Sequence, residues 1–418
     1  MTALLESLQT AFAEIAPSKL ALDQAVATGL PGPRSEQWKY TSLRALSTRR
    51  FAAAPVALAV LDDSTVQTIA AIPVPRVVFV NGIFDPAHSS LSSLPSGLVI
   101  QALADADSGD ESRFANAHEI FAKLNTAIAR QGLQISSSKY LDNDVCLHAV
   151  FISVKTTQDL AIHYRHKIEL HQNAKLNLIE HHISQGTHQN LSNHFCEIVL
   201  DNGAELTHAR IQQDDPGASH FLRTEAALQS NAVYRRLDLE LGSHLSRHDL
   251  QAKLLGDGAT VHANGSLIAD GRRHLDTRLD IQHIAKNTAC NLLWRGLATE
   301  RGRAVFHGGI LIEKGADGAA AHLSNKNLLL SDNAEIDTQP VLVIHADEVV
   351  ASHGATVGRL DSGHLFYLRA RGIPEAQAKA MLTNAFCKET LQVLANDGLV
   401  NQVAPSLEKS LQTIEVQA

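Results

Sequence analysis

A short turn signal recurs through the middle of this chain: Asn173-Ala174-Lys175-Leu176, Gly203-Ala204-Glu205-Leu206, Asn231-Ala232-Val233-Tyr234, Gly258-Ala259-Thr260-Val261 and, further on, Asn333-Ala334-Glu335-Ile336. The first four lie 27 to 30 residues apart. The fifth is 75 residues past the fourth, which leaves room for two or three further units, one of them a candidate at Arg303-Ala304-Val305-Phe306. Asn and Gly supply the left-handed turn conformation, and Ala suits a place where backbones crowd. Between the turns the residues alternate: Leu275, Thr277, Leu279 and Ile281 face one way, Asp276, Arg278, Asp280 and Gln282 the other. A fixed period of this size with strand-type alternation predicts a solenoid of stacked β-coils. No coil buries its inner face alone, so the coils depend on each other and the ends of the stack need caps, which flanking helical regions are expected to supply.

The flanks read differently. Leu4, Leu8, Phe12 and Ile15 share one helical face that ends at Pro17. A Pro- and Gly-rich loop runs from Gly29 to Leu43. Asn81-Gly82 between two apolar runs predicts a hairpin, since both residues tolerate positive φ. A further helix is expected over about Phe114 to Arg130, lined by Phe121, Leu124 and Ile128 and capped by Gly132. At the other end, Ser352-His353-Gly354 and Asp361-Ser362-Gly363 read as turns that bracket the passage from strand to helix. A first C-terminal helix follows Pro374 with an apolar stripe of Met381, Ala385 and Phe386, and a second starts near Pro405-Ser406. The expected organisation is residues 1–132 mostly helical with a small hairpin, 133–362 a β-helix core, and 363–418 a helical domain.

Bulk properties narrow the function. A net charge of -8 argues against a dominant role on nucleic acid or anionic membrane. Cys146, Cys196, Cys290 and Cys387 are scattered without a CxxC or CxxH pair, which excludes a disulfide framework or a structural zinc ribbon and fits a reducing cytosol. Residues 1–17 have no basic n-region, and the apolar run Ala52 to Val60, interrupted by Pro55, is too short to span a bilayer. A cytoplasmic location is expected. No GxxxxGK[ST] loop occurs, so any ATP chemistry belongs to a partner.

Four separated blocks resemble the SufD family of the SUF (SufBCD) iron–sulfur cluster assembly scaffold. They are the Pro31 to Leu43 loop with Trp38-Lys39-Tyr40-Thr41, Val78-Phe79-Val80-Asn81-Gly82, Asn325 to Ser331, and Ser352 to Gly358 with Phe366 to Gly372. They span almost the whole chain in the family's order. The resemblance implies a mainly β protein with a right-handed parallel β-helix between N- and C-terminal helical domains. It implies a non-catalytic scaffold subunit that pairs with SufB along the β-helix edge and docks the SufC ATPase through its C-terminal helical region. No cofactor is expected to stay bound to this chain alone; iron or the cluster is expected at the SufB interface.

His353 matches the family histidine proposed as an iron or cluster ligand, and a neutral imidazole suits iron; the bland alternative is a turn histidine bonded to backbone. Many members carry cysteine two residues earlier. Here that position is Ala351, so no thiolate comes from it, and the remaining ligands must come from SufB or elsewhere. Phe366, Tyr367, Arg369, Arg371, Met381 and Phe386 form the expected SufC surface, although Arg369 and Arg371, two apart, do not share a helix face. Removing the chain after about Gly372 is expected to abolish docking and leave the β-helix folded. The histidines between His163 and His194, with the His181-His182 pair, form either a metal-binding ladder or a polar strand face. Cys196, Cys290 and Cys387 read as packing residues. Two other functions stand beside the scaffold: a β-helix carbohydrate-active enzyme, for which Asp214-Asp215 in a Pro216-Gly217 turn offers a carboxylate pair, and a self-associating scaffold that pairs with its own copy without SufB.

Overall fold

The computed structural model describes residues 1–32, 34–54, 57–92, 94, 96–104, 119–137 and 146–417. Pro33, Pro55 and Phe114 lie outside them. Its centre is a parallel β-solenoid with two walls, each coil giving one strand to either wall. Sheet I contains Leu98–Ala104, Gln131–Ser137, Leu160–Leu170, Leu191–Leu200, Ser219–Leu228, Leu245–Leu254, His274–His283, Arg303–Ile312 and Glu335–Ile344, in that spatial order, with Ala52–Ala53 beside Leu160–Leu170. Sheet II contains Ile83–Phe84, Arg76–Val80, Cys146–Val154, Lys175–Gln185, Glu205–Gln213, Val233–Glu240, Thr260–Ala269, Ala289–Ala298, Ala320–Leu329 and Val350–Gly358. Among the described strands two pairings are antiparallel, and both sit at the N-terminal end: Leu98–Ala104 on Gln131–Ser137, and Arg76–Val80 on Ile83–Phe84. The second is the expected hairpin, with Asn81 and Gly82 at φ 47° and 89°.

The turn that repeats in the sequence lies along one corner of the solenoid, and its members alternate. Asn173, Asn231 and Asn287 interleave with Gly203, Gly258 and Gly318, and all six have positive φ. Each N–H donates to a carbonyl of the following coil: Asn173 to Asn202, Gly203 to Ser230, Asn231 to Asp257, Gly258 to Lys286, Asn287 to Asp317 and Gly318 to Glu348. The Asn side chain leans over the glycine of the next coil. A Cβ at Gly203, Gly258 or Gly318 would collide with Oδ1 of Asn173, Asn231 or Asn287. Asn-to-Gly alternation is therefore a stacking rule, since two side chains in succession would contend for one space. Asn287-Thr288 and Gly318-Ala319 are the missing members of the row. Asn333-Ala334 precedes a strand of sheet I and Arg303-Ala304 opens one, so neither belongs to this corner, which corrects the sequence-based grouping.

The helical flanks cover faces and not ends. Leu4, Leu8, Phe12, Leu22, Trp38, Leu46, Ile120 and Leu124 pack on Ala161, Leu191, Phe221 and Leu245 of sheet I's outer side. Trp38 lies under the Arg247 guanidinium, 3.9 Å from its ring centre, and Thr41 donates to Asp276 at 2.6 Å, so the Trp38–Thr41 block fastens this layer to the wall. The helix Ile120–Ile128 ends at Ala129, and Gly132 is not its cap. Gly132 sits in a strand where a Cβ would overlap the Arg165 carbonyl. The first helix, Ala3–Phe12, starts from a Thr2 cap and stops short of Ile15.

On sheet II the outward Ile179, Ala209, Ile211, Leu237, Leu239, Ile268 and Leu297 meet Cys387, Leu391, Leu394, Leu399, Val403, Leu407 and Leu411. These come from Glu375–Lys388, the 3-10 segment Glu389–Leu394 and Asp397–Gln417. The last helix thus begins eight residues before the expected Pro405, which it contains. This cover bears on truncation: cutting the chain after Gly372 would expose the apolar outer face of sheet II, so a loss of stability is expected beside any loss of docking.

Gly203→Ala is expected to lower unfolding stability by about 1–3 kcal/mol, because it combines a positive φ with the collision against Asn173. Gly354→Ala, with nothing within 4 Å of its Cβ position, is expected to be neutral. Urea unfolding followed by circular dichroism checks both.

Candidate functional site

The C-terminal end of the solenoid is open. Glu335–Ile344 and Val350–Gly358 are the last strands of their sheets, each paired on one side only among the described residues. Val343, Ile344, Val350 and Val357 are exposed there, Val350 at 78%. A parallel edge with free N–H and C=O groups and exposed β-branched side chains is a template for a further strand.

His353 is not in a turn. It lies in the middle of Val350–Gly358, and its register places it in the inward row, in a column with Arg236, Ala263, Leu292 and Leu323. It is exposed only because no further coil covers it. Ala351, two residues earlier in the same row, packs against the end of the apolar core. The Asn325–Ser331 block holds this end in place. Asn327 donates to Asn325 Oδ1 at 2.6 Å and to the Thr356 carbonyl at 3.0 Å, and Thr338 donates to Asn325 Oδ1 at 2.7 Å. Leu328 and Leu330 reach the opposite side, toward the C-terminal layer. His322 and Ser352 bond at 2.7 Å on the outer side.

After the edge strand, Asp361 caps a helix, Ser362–Ala370, by accepting from the His364 N–H. None of that helix's residues is buried. Phe366 is 74% and Tyr367 55% exposed, and Met381 of the next helix is 46% exposed. Both arginines have partners within the chain: Arg369 pairs with Glu375 at 3.3 Å, and Arg371 lies over the Tyr367 ring at 4.5 Å. Phe386 is separate from this group. It is half-buried against the sheet II cluster with Arg295 above its ring, so it anchors the helical layer.

A second polar site lies inside the middle coils, where the inward rows carry charge instead of aliphatic groups. Glu180 contacts His182 at 3.3 Å and His208 at 2.9 Å. Arg236 holds Asp238 at 2.7 Å and lies against the His208 ring, one guanidinium nitrogen 2.6 Å from Nδ1 and 3.0 Å from Nε2. Arg210 binds Asp238 at 3.0 Å and also Glu240, which accepts from Ser246. Asp214 approaches His220 at 2.9 Å. Burial opposes ionisation of Glu180, yet His208, His182 and Arg236 outweigh it and hold the carboxyl well below its ordinary value. Burial alone drives the His163 imidazole down to about 3, and burial also dominates at His248, pushed down to about 4 despite Asp238.

Of the histidines expected to form a ladder, His182 and His194 point inward and come together with His220, one nitrogen of each lying within 4.8 Å of the others. His181 points outward and pairs with His148 at 3.0 Å. Among the described residues this is the one group of three ligand-type side chains, and His353 is not in it. His220 and Asp214 were missed as members because they sit on later coils; only the register aligns them. Cys196, Cys290 and Cys387 are buried free thiols, each with its pKa raised by burial, as packing residues should be. Asp214 is inside the solenoid and Asp215 caps its own turn through Gly217, so the pair lines no substrate groove. No described helix is long and apolar enough to cross a membrane.

Comparison with known proteins gives a consistent result. The SufBD core domain of the SUF system for iron–sulfur cluster assembly matches residues 152–386. The chain is 29% identical over 393 residues to the iron–sulfur cluster assembly protein SufD of Escherichia coli, covering 93% of this chain and 91% of that protein. It is 31% identical over 378 residues to an iron–sulfur cluster assembly SufBD family protein of Synechocystis sp., covering 87% and 83%. With SufD of Bacillus subtilis the identity is 24% over 410 residues, covering 94% and 92%.

The depressed histidines have a consequence for acid stability. A base whose pKa is lowered in the folded state binds more protons when unfolded, so stability rises with pH. The contribution of His163 and His248 is complete above the unfolded value, about 6.5, and is lost as pH falls toward about 3 to 4. The lowered Glu180, Asp214 and Glu240 extend the loss further down. Unfolding free energy measured in urea is expected to drop by several kcal/mol between about pH 7 and 4.5, at about 1.4 kcal/mol for each pKa unit that is titrated.

Proposed function

The chain belongs to the SufBD family of the SUF iron–sulfur cluster assembly system, a family of non-catalytic scaffolds, and from that premise we propose that it pairs edge to edge with SufB. The observation that carries this reading is the open end of the solenoid. A strand of SufB that continued sheet II would lie against Val350–Gly358 and close over the inward row that ends at His353. The imidazole would then face the seam between the two proteins as a single ligand for iron or for the nascent cluster, which is the cargo of assembly. Ala351 supplies no thiolate, so the other ligands come from SufB.

The unburied helix Ser362–Ala370 supports a docking role for Phe366, Tyr367 and Met381, with SufC as the ATPase partner. Arg369 and Arg371 hold this helix in shape through Glu375 and Tyr367, and Phe386 fixes the layer beneath it. This helix leaves the edge strand after only three residues, Arg359 to Asp361. Movement of a docked ATPase would therefore be transmitted to the His353 seam. A cytoplasmic assembly is consistent with the even scatter of free cysteines. The same open edge favours a second reading, in which isolated copies pair with each other; size measurement alone and with SufB separates the two.

His353→Ala is expected to cut anaerobic cluster reconstitution by the complex with SufB and SufC while leaving SufB binding intact. Undiminished reconstitution rejects the ligand role. Phe366→Ala combined with Tyr367→Ala is expected to weaken SufC binding by tenfold or more, on the order of 1.4 kcal/mol, with no change in the unfolding midpoint, because neither ring is buried in the chain alone.

A further inference from the structure

The interior of the middle coils is lined by ionisable side chains that are unevenly arranged. Glu180, Asp214, Asp238 and Glu240 are buried carboxylates, and Arg210 and Arg236 are buried beside them. Both arginines sit with Asp238 and Glu240, while the Asp214 end has imidazole beside it and no guanidinium.

The three converging imidazoles stand at that end. His182 comes from Lys175–Gln185 of sheet II, and His194 and His220 from Leu191–Leu200 and Ser219–Leu228 of sheet I. Ring centres are 4.8 Å apart for His182–His194 and for His182–His220, and 5.1 Å for His194–His220. All three are buried, His220 completely. Neither ring nitrogen of His220 has a hydrogen-bond partner of acceptable geometry, although Nδ1 lies 2.9 Å from Asp214 Oδ2. A fully buried imidazole with an unused nitrogen is anomalous, since such groups are nearly always satisfied.

Surrounding groups hold the rings as ligands are held. Glu180 stands 3.3 Å from His182 Nε2, and Asp214 stands on the Nδ1 side of His220. Carboxylates of this kind orient metal-bound imidazoles and raise their basicity. On His194 the proton position follows from its neighbours. The Leu133 N–H donates to His166 Nδ1, so neutral His166 donates from Nε2 to His194 Nδ1 at 3.1 Å. His194 therefore carries its own proton on Nε2, toward Ser192 Oγ at 2.9 Å, and would offer Nδ1 to an ion once the His166 hydrogen bond is released.

We propose that His182, His194 and His220 form a buried site for one divalent transition ion of zinc-like preference, which braces the two walls of the solenoid. Three imidazoles are a usual donor set for such an ion at about 2.0–2.1 Å, reached here by inward rotation of the rings. Glu180 and Asp214 act as outer partners. This site is independent of His353 and of any partner protein. Because it is sealed, loading takes place during folding, and exchange afterwards is slow.

The test uses untagged full-length protein unfolded in denaturant and refolded with Zn(II), or with Co(II) as a visible probe, then desalted against a chelator. Wild type and His353→Ala are expected to retain about one zinc per chain, and the cobalt form to show visible bands of bound cobalt that the His220→Gln variant lacks. His220→Gln and His182→Gln are expected to retain roughly tenfold less. Wild type that keeps no zinc overturns the proposal. Equal retention by wild type and His220→Gln also overturns it. If both variants fail to fold, wild type decides alone: a zinc-dependent rise in its unfolding midpoint supports the site, and an unchanged midpoint refutes it.

Discussion

Parallel, in-register pairing of each strand with its equivalent one coil away governs the rest of this molecule. It turns inward positions into columns, so that along the regular coils a residue's surroundings are set by what stands 26 to 32 residues before and after it. The corner row makes the cost of this regularity visible. Each backbone N–H at the corner is satisfied by the next coil, and the space between coils admits one side chain for every two, which Asn and Gly share in turn. Main-chain hydrogen bonds fix the spacing, and side chains are then chosen to fit it.

The columns are not uniform along the stack. At both ends they are aliphatic and aromatic: Phe79, Phe151 and Tyr164 near the start, Leu292, Trp294, Phe306 and Leu323 toward the finish. Between them the interior holds arginines, carboxylates and imidazoles. A hydrophobic filling would be more stable than a network of buried charges in many proteins. The polar stretch therefore points to a function. Hydrogen bonds among His208, Arg236, Asp238, Arg210 and Glu240 are mutually supportive, so that losing one member would strand the others in a medium of low dielectric.

Helical layers on both outer faces leave one surface open, and that asymmetry carries the biology. The N-terminal end is closed by antiparallel strands, whereas the C-terminal end keeps a free parallel edge with exposed valines. A soluble monomer would normally blunt such an edge with charge or proline. Here the edge keeps its template character, which fits a chain that is one part of an assembly. The short link from Val350–Gly358 to Ser362–Ala370 joins the edge to the unburied helix, so the two exposed features are neighbours along the chain.

Much of this was legible in the sequence. Periodic Asn-Ala and Gly-Ala turns with alternation between them specify a β-solenoid, because no other fold needs the same corner chemistry at that period. Asn81-Gly82 specifies its hairpin for the same local reason. Residues whose role depends on register were not legible. His353 beside glycine reads as a turn, yet pairing with Leu323 makes it an inward strand position. Gly132 reads as a helix cap, yet the close approach of Arg165 explains it. His181 and His182 look equivalent, but strand parity sends them to opposite sides of one wall. Local propensity and period were thus determined by the sequence alone. Which side chains meet, and which face no neighbour at all, was decided only by the tertiary structure, since contact depends on the alignment of residues a full coil apart and on which layer covers each face.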